Sequence, residues 1–190
     1  MKTNINYKNI YYPPGGILLW IIIFLELITF GIALIAMVYY GKEEPNIFHN
    51  SRLMLNTTYG MVNTIFLLTS GFFMANAVNE LKAEAIQKSK KYLLITILFA
   101  FLFLGLKGIE YTGKINEGLV MGYNTFFTFY WSLTLFHVIH VLVGLVILIS
   151  VYFGLNKPKT TIEDVEASAA FWHMCDLIWL LLFPVIYLIF

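Results

Sequence analysis

Phe171-Trp172-His173-Met174-Cys175-Asp176-Leu177-Ile178-Trp179 runs on to Phe190 without another charged residue. The stretch is fit for lipid, yet it carries a histidine and an aspartate three residues apart. An ionisable side chain inside a bilayer costs at least about 2.5 kcal/mol unless it is paired or turned inward. Residues i and i+3 of a helix share a face, so His173 and Asp176 point the same way. That face is expected to meet the rest of this chain or a partner rather than lipid.

The remainder of the chain agrees. Its 190 residues are 59% hydrophobic and 12% charged, where soluble domains carry about 25% charged residues. Five segments reach the roughly 20 apolar residues that span a bilayer, at about 15–40, 54–80, 91–109, 124–154 and 169–190. The expected architecture is all-α, a single transmembrane domain over 1–190. The connectors are too short for a soluble domain. Pro13-Pro14-Gly15-Gly16 bars helix extension before the first span, and no removable signal peptide is expected. The net charge of +1 offers no argument for nucleic acid. Cys175 is the one cysteine, which excludes an internal disulfide and a cysteine-based zinc site.

Charge asymmetry sets an expected orientation. With the N-terminus inside, the inner side holds Lys2, Lys8, Lys82, Lys88, Lys90, Lys91, Lys157 and Lys159. The outer side holds only Lys42, Arg52, Lys107 and Lys114. The positive-inside rule then places the N-terminus in the cytoplasm and the C-terminus outside. Tyrosines near the span ends read as an interfacial belt.

Few polar residues interrupt the spans. Glu26 lies near the middle of the first, either as a neutral hydrogen-bonded interior residue or as a proton-active or pathway group. Asn63, Thr64, Ser70 and Gly71 in the second suit helix packing. Glu110-Tyr111 ends the third near the outer interface, where a carboxylate needs no function. In the fourth, His137 and His140 share a face. They admit two readings. One is a metal or haem site with His173 and a carboxylate. The other is a hydrogen-bonded interior network. Two histidines one turn apart on one helix do not make an axial haem pair, and zinc would need further ligands at the same depth. The network is the preferred reading, with no metal bound and no catalytic residue. Phosphate-cradling glycine loops, nucleophile elbows and HExxH are absent from the sequence.

Taken in order, these residues resemble subunit III of the haem–copper oxidase superfamily. Trp20 to Phe30 with Glu26 resembles its first conserved helix. Asn63-Thr64-Ile65-Phe66-Leu67-Leu68-Thr69-Ser70 resembles its NTxxLLxSS helix, with Gly71 where a second serine is usual. Glu110-Tyr111 resembles its EY pair, and Phe136-His137-Val138-Ile139-His140-Val141 with Gly144 its FHxxHVxxG motif. Trp172-His173 with Asp176 and Trp179 resembles its WHxxDxxWxxL terminal helix. Five spans match the short form, without two extra N-terminal helices.

The resemblance implies a non-redox accessory subunit, with haem and sometimes copper held in the catalytic subunit I. It implies a two-helix and a three-helix group around a cleft that binds phospholipid. It implies support for turnover of oxygen to water, through the integrity of subunit I and its proton and oxygen access, alongside other subunits. Glu26 would lie near the gas and lipid route. Glu110, His137, His140, His173 and Asp176 would form the interior network of the three-helix group. The wording around Met174 and Pro184 is also similar to the branch associated with nitric oxide reductase, which is a second possible membership. Two competing functions are a stand-alone haem or metal protein and a small proton-linked channel. The Lys-, Ile-, Asn- and Tyr-rich composition suggests an AT-rich bacterial genome, hence a bacterial inner membrane.

Overall fold

The computed structural model describes residues 13, 15–155 and 160–190. Lys2, Lys8, Pro14, Lys157 and Lys159, which entered the expectations above, lie outside the described residues. The described regular structure is helical throughout: α1 (Gly16–Glu43), α2 (Pro45–Leu53), α3 (Thr57–Lys82), α4 (Ile86–Asn116), α5 (Thr125–Gly154) and α6 (Ile162–Tyr187). All but α2 are long and apolar enough to cross a membrane. This is a multi-pass membrane protein.

Local chemistry sets the helix starts. Asn56 accepts a hydrogen bond from the Thr58 amide at 3.0 Å and Asn124 from the Phe127 amide at 2.8 Å. Each satisfies an amide that the first turn leaves without a helical partner. Thr161 and Asp164 form a capping box, each side chain bonding the other's amide. This box starts α6 at Ile162, seven residues before the expected boundary at 169. Hydropathy underestimates α4 as well. Its 31 residues extend about 46 Å at 1.5 Å per residue, beyond a hydrocarbon core of about 30 Å. Hydropathy also passes over α2, which has Pro45 in its first turn.

The bundle is organised around α6, which packs against α1, α3 and α5; α4 lies beside α3 and α5. One bundle forms because α6 buries Trp172, Cys175, Ile178, Trp179 and Leu182 completely on its neighbours. Glycines permit the closest approaches. A Cβ at Gly144 would lie 2.9 Å from the Trp172 ring, and one at Gly60 would lie 2.8 Å from Phe183. At the end of the bundle where α6 finishes, α2 is tied down. Arg52 Nε donates to the Tyr187 carbonyl at 2.9 Å, and Asn124 Nδ2 donates to Ser51 Oγ at 2.7 Å. Phe48 packs edge-on against Phe126 and Phe190.

Candidate functional site

The polar residues inside the bundle fall into separate groups. The most completely satisfied one lies in the half of the bundle that holds the C-terminal ends of α4 and α6. Lys107 and Glu110 are one turn apart on α4, and their side chains are essentially inaccessible. Lys107 Nζ donates to Glu110 Oε2 and to Tyr187 Oη, both at 2.8 Å. Glu110 Oε1 accepts from Tyr130 Oη at 3.0 Å and from Tyr187 Oη at 2.5 Å. The rings of Tyr111, Tyr130, Trp179 and Tyr187 stand 5.0–5.4 Å from the ammonium, within cation–π range. The group fastens α4 to α5 and α6.

This arrangement corrects two expectations. Glu110 is not a surface carboxylate at a span end: α4 continues six residues further, to Asn116, and Glu110 is buried. Lys107 is not an outer-surface charge, and the orientation count cannot use it as one. The reason is pairing, since each charge supplies the partner that makes burial of the other tolerable. The pair was legible as opposite charges at i and i+3 inside an apolar run. Tyr130 and Tyr187 carried no local signal.

A second group joins α1 to α5. Glu26 Oε2 and His140 Nε2 are 3.2 Å apart, close enough for an ion pair, though off the line of a hydrogen bond. The Phe136 carbonyl lies 2.7 Å from His140 Nδ1. A third group is the i, i+3 pair on α6, with His173 Nδ1 3.3 Å from Asp176 Oδ2. Gly71 of α3 faces it, and a Cβ there would collide with Asp176 Oδ2. The glycine in place of serine thus makes room for the carboxylate.

His137 joins none of these groups. Its ring is fully buried, 5.8 Å from Phe103 and 5.3 Å from Trp179, and neither nitrogen has a hydrogen-bond partner among the described residues. Glu26, Glu110, His137, His140, His173 and Asp176 therefore do not form one connected network. Glu110 pairs within α4, and His140 turns to α1. No three His, Cys, Asp or Glu side chains converge to hold a metal ion among the described residues.

The packing residues cross-link α6 to its neighbours. Trp172 Nε1 donates to Ser70 Oγ at 3.1 Å, and Ser70 Oγ donates to the Thr96 carbonyl of α4 at 2.9 Å. Trp179 Nε1 donates to Thr64 Oγ1 at 3.0 Å. Asn63, by contrast, is buried with its amide unpartnered among the described residues. Each such bond inside a membrane contributes about 0.6 kcal/mol, so this chemistry fastens helices.

Residues 7–189 match the family model described as cytochrome c oxidase subunit III. The chain is similar to subunit 3 of the cytochrome bo(3) ubiquinol oxidase of Buchnera aphidicola, 27% identical over 90% of this chain and 84% of the relative. It is similar to quinol oxidase subunit 3 of Bacillus spizizenii, 28% identical over 67% of this chain and 64% of that protein. It is also similar to the haem–copper oxidase subunit I+III of Aeropyrum pernix, 25% identical over 90% of this chain and 22% of that protein. The match thus spans less than two thirds of the latter two proteins. With nearly its whole length matched to that model, this chain belongs to the cytochrome c oxidase subunit III family.

Proposed function

We propose that this chain is the non-redox accessory subunit III of a haem–copper terminal oxidase. It braces the catalytic subunit and its proton and oxygen access while oxygen is reduced to water there. The observation that carries this reading is the family match over residues 7–189. The geometry supports it, because several of the bundle's polar side chains join helices: Lys107 and Glu110 on α4 to α5 and α6, Glu26 to His140, and Trp172 and Trp179 to α3. Haem, with or without copper, belongs in this reading to the partner subunit. The Aeropyrum relative, whose name joins subunits I and III in one protein, supports subunit I as that partner. Bound phospholipid completes the proposal, in a bacterial inner membrane with the N-terminus cytoplasmic and the C-terminus outside. The relatives named above are oxidase subunits, which favours oxygen over nitric oxide as the complex's substrate.

The test is a gentle detergent purification of the tagged chain from its own membrane, with an absorbance spectrum and mass identification of companions. A larger haem-bearing chain at equal stoichiometry is expected. A coloured chain arriving alone would make it a haem protein in its own right, and a colourless chain arriving alone would remove the oxidase reading.

A further inference from the structure

Exposed or half-exposed polar side chains along the spans mostly bond their own helix. Thr29 donates to the Leu25 carbonyl, Thr112 to Gly108, Ser150 to Val146, and Asn76 to Phe72. The three hydroxyls can thus face lipid with their one donor satisfied. His173 is different. Its side chain is 44% exposed, although it lies near the middle of α6. Nδ1 is occupied by Asp176, and no described residue bonds Nε2. Beside it Asp176 Oδ1 is buried and unpartnered among the described residues. An imidazole left against hydrocarbon in this state costs free energy that no contact within the described chain offsets.

The surroundings of His173 form a strip. On one side α6 meets α3, through Trp172, Asp176, Trp179 and Phe183. On the other it approaches α1, where a Cβ at Gly15 would lie 2.8 Å from Ala167. Between these contacts, at helical spacing, His173, Leu177 and Leu181 are exposed, as are Leu68 and Phe72 on α3. No described residue covers them. This strip is the exposed part of α6, otherwise the most buried span of the bundle. By contrast the outward strip of α5, with Ile139, Val143 and Val146, is apolar and satisfied.

We propose that the open strip of α6 seats a transmembrane helix of another subunit, and that a hydrogen-bonding side chain on that helix meets His173 Nε2. The partner is an intramembrane helix because the strip lies at mid-span and is apolar around one polar point. Such a surface fits a helix bearing one hydroxyl or amide among aliphatic residues. The inference rests on the reading of this chain as a subunit of a membrane complex.

A photoreactive amino acid placed at Leu177 or Leu181, in the assembled complex in its native membrane, tests the seat. Val146 on α5 and Leu98 on α4 serve as comparison positions. Leu177 and Leu181 are expected to yield covalent adducts with another transmembrane chain, and Val146 and Leu98 to yield lipid adducts. Adducts from Leu177 and Leu181 with lipid alone, or with a second copy of this chain, would overturn the proposal. His173→Leu should reduce retention of the chain in the purified complex about three-fold, the factor equivalent to about 0.6 kcal/mol, and His173→Gln should restore it. Retention of His173→Leu at the wild-type level would also overturn it. The two readings fail separately. A colourless membrane partner cross-linked at Leu177 would retain the seat and remove the oxidase reading. A haem-bearing partner cross-linked only through Val146 or Leu98 would do the reverse.

Discussion

The half of the bundle around Lys107 and Glu110 and its middle solve the same problem in opposite ways. Around Lys107 and Glu110, three hydrogen bonds to the carboxylate and four aromatic rings around the ammonium close the site within the chain. At mid-span, Glu26 and His140 are in contact but poorly aligned, and His173 and Asp176 retain one open atom each. A closed cluster stabilises the fold that contains it. An open one has interactions still to make. The difference separates what this bundle does for itself from what it does in an assembly.

Removing one member of the closed cluster is the hardest blow to that contrast. Lys107→Met leaves Glu110 as an uncompensated buried charge, which costs about 3–5 kcal/mol. A large fall in thermal midpoint in detergent is expected, with much of it regained in Lys107→Met/Glu110→Leu. A single variant as stable as wild type would show that the pair is not the staple described here. Tyr187→Phe removes a hydrogen bond to the carboxylate and one from the ammonium while keeping the ring, a loss of about 1.5–3 kcal/mol for charge-assisted bonds. The same melting experiment reads it.

Smaller changes sharpen the description of the middle. Gly71→Ala introduces a Cβ where Asp176 Oδ2 sits, and overpacking of this kind costs about 1–3 kcal/mol. If Gly71→Ala is neutral in a melting curve, Asp176 has another place to go and the close approach is dispensable. Glu26→Gln exchanges a misaligned contact for an amide, and should move stability by only about 0.6 kcal/mol. A drop comparable to that of Lys107→Met would erase the distinction between the two regions.

Much of the architecture was readable along the chain. Five apolar runs gave five spans, though the Thr161–Asp164 cap that starts α6 lay outside the expected last span. The i, i+3 relation of His173 and Asp176 foretold their contact. Lys107 and Glu110 were equally readable by that rule, but counting Lys107 as an interfacial charge hid the pair. The candidate site was less legible. Its histidines and carboxylates were identifiable one by one, yet His140 paired with Glu26 and His137 with aromatic rings alone.

The sequence by itself determined the all-α class, the five spans, the helix-face neighbours and the family. The first three follow from composition and from spacings of three or four residues, where helix geometry leaves little freedom, and the family from the resemblance of five motifs in order. Only the tertiary structure decided that Tyr130 and Tyr187 close the cage on Glu110, that Glu26 reaches His140, that Gly71 makes room for Asp176, and that α6 leaves a strip open between α1 and α3. In a membrane, lipid-facing and buried helix faces are both apolar, so hydropathy cannot tell which way a helix turns. The rotation of each span is set by side chains that meet across the bundle, from residues as far apart as Lys107 and Tyr187.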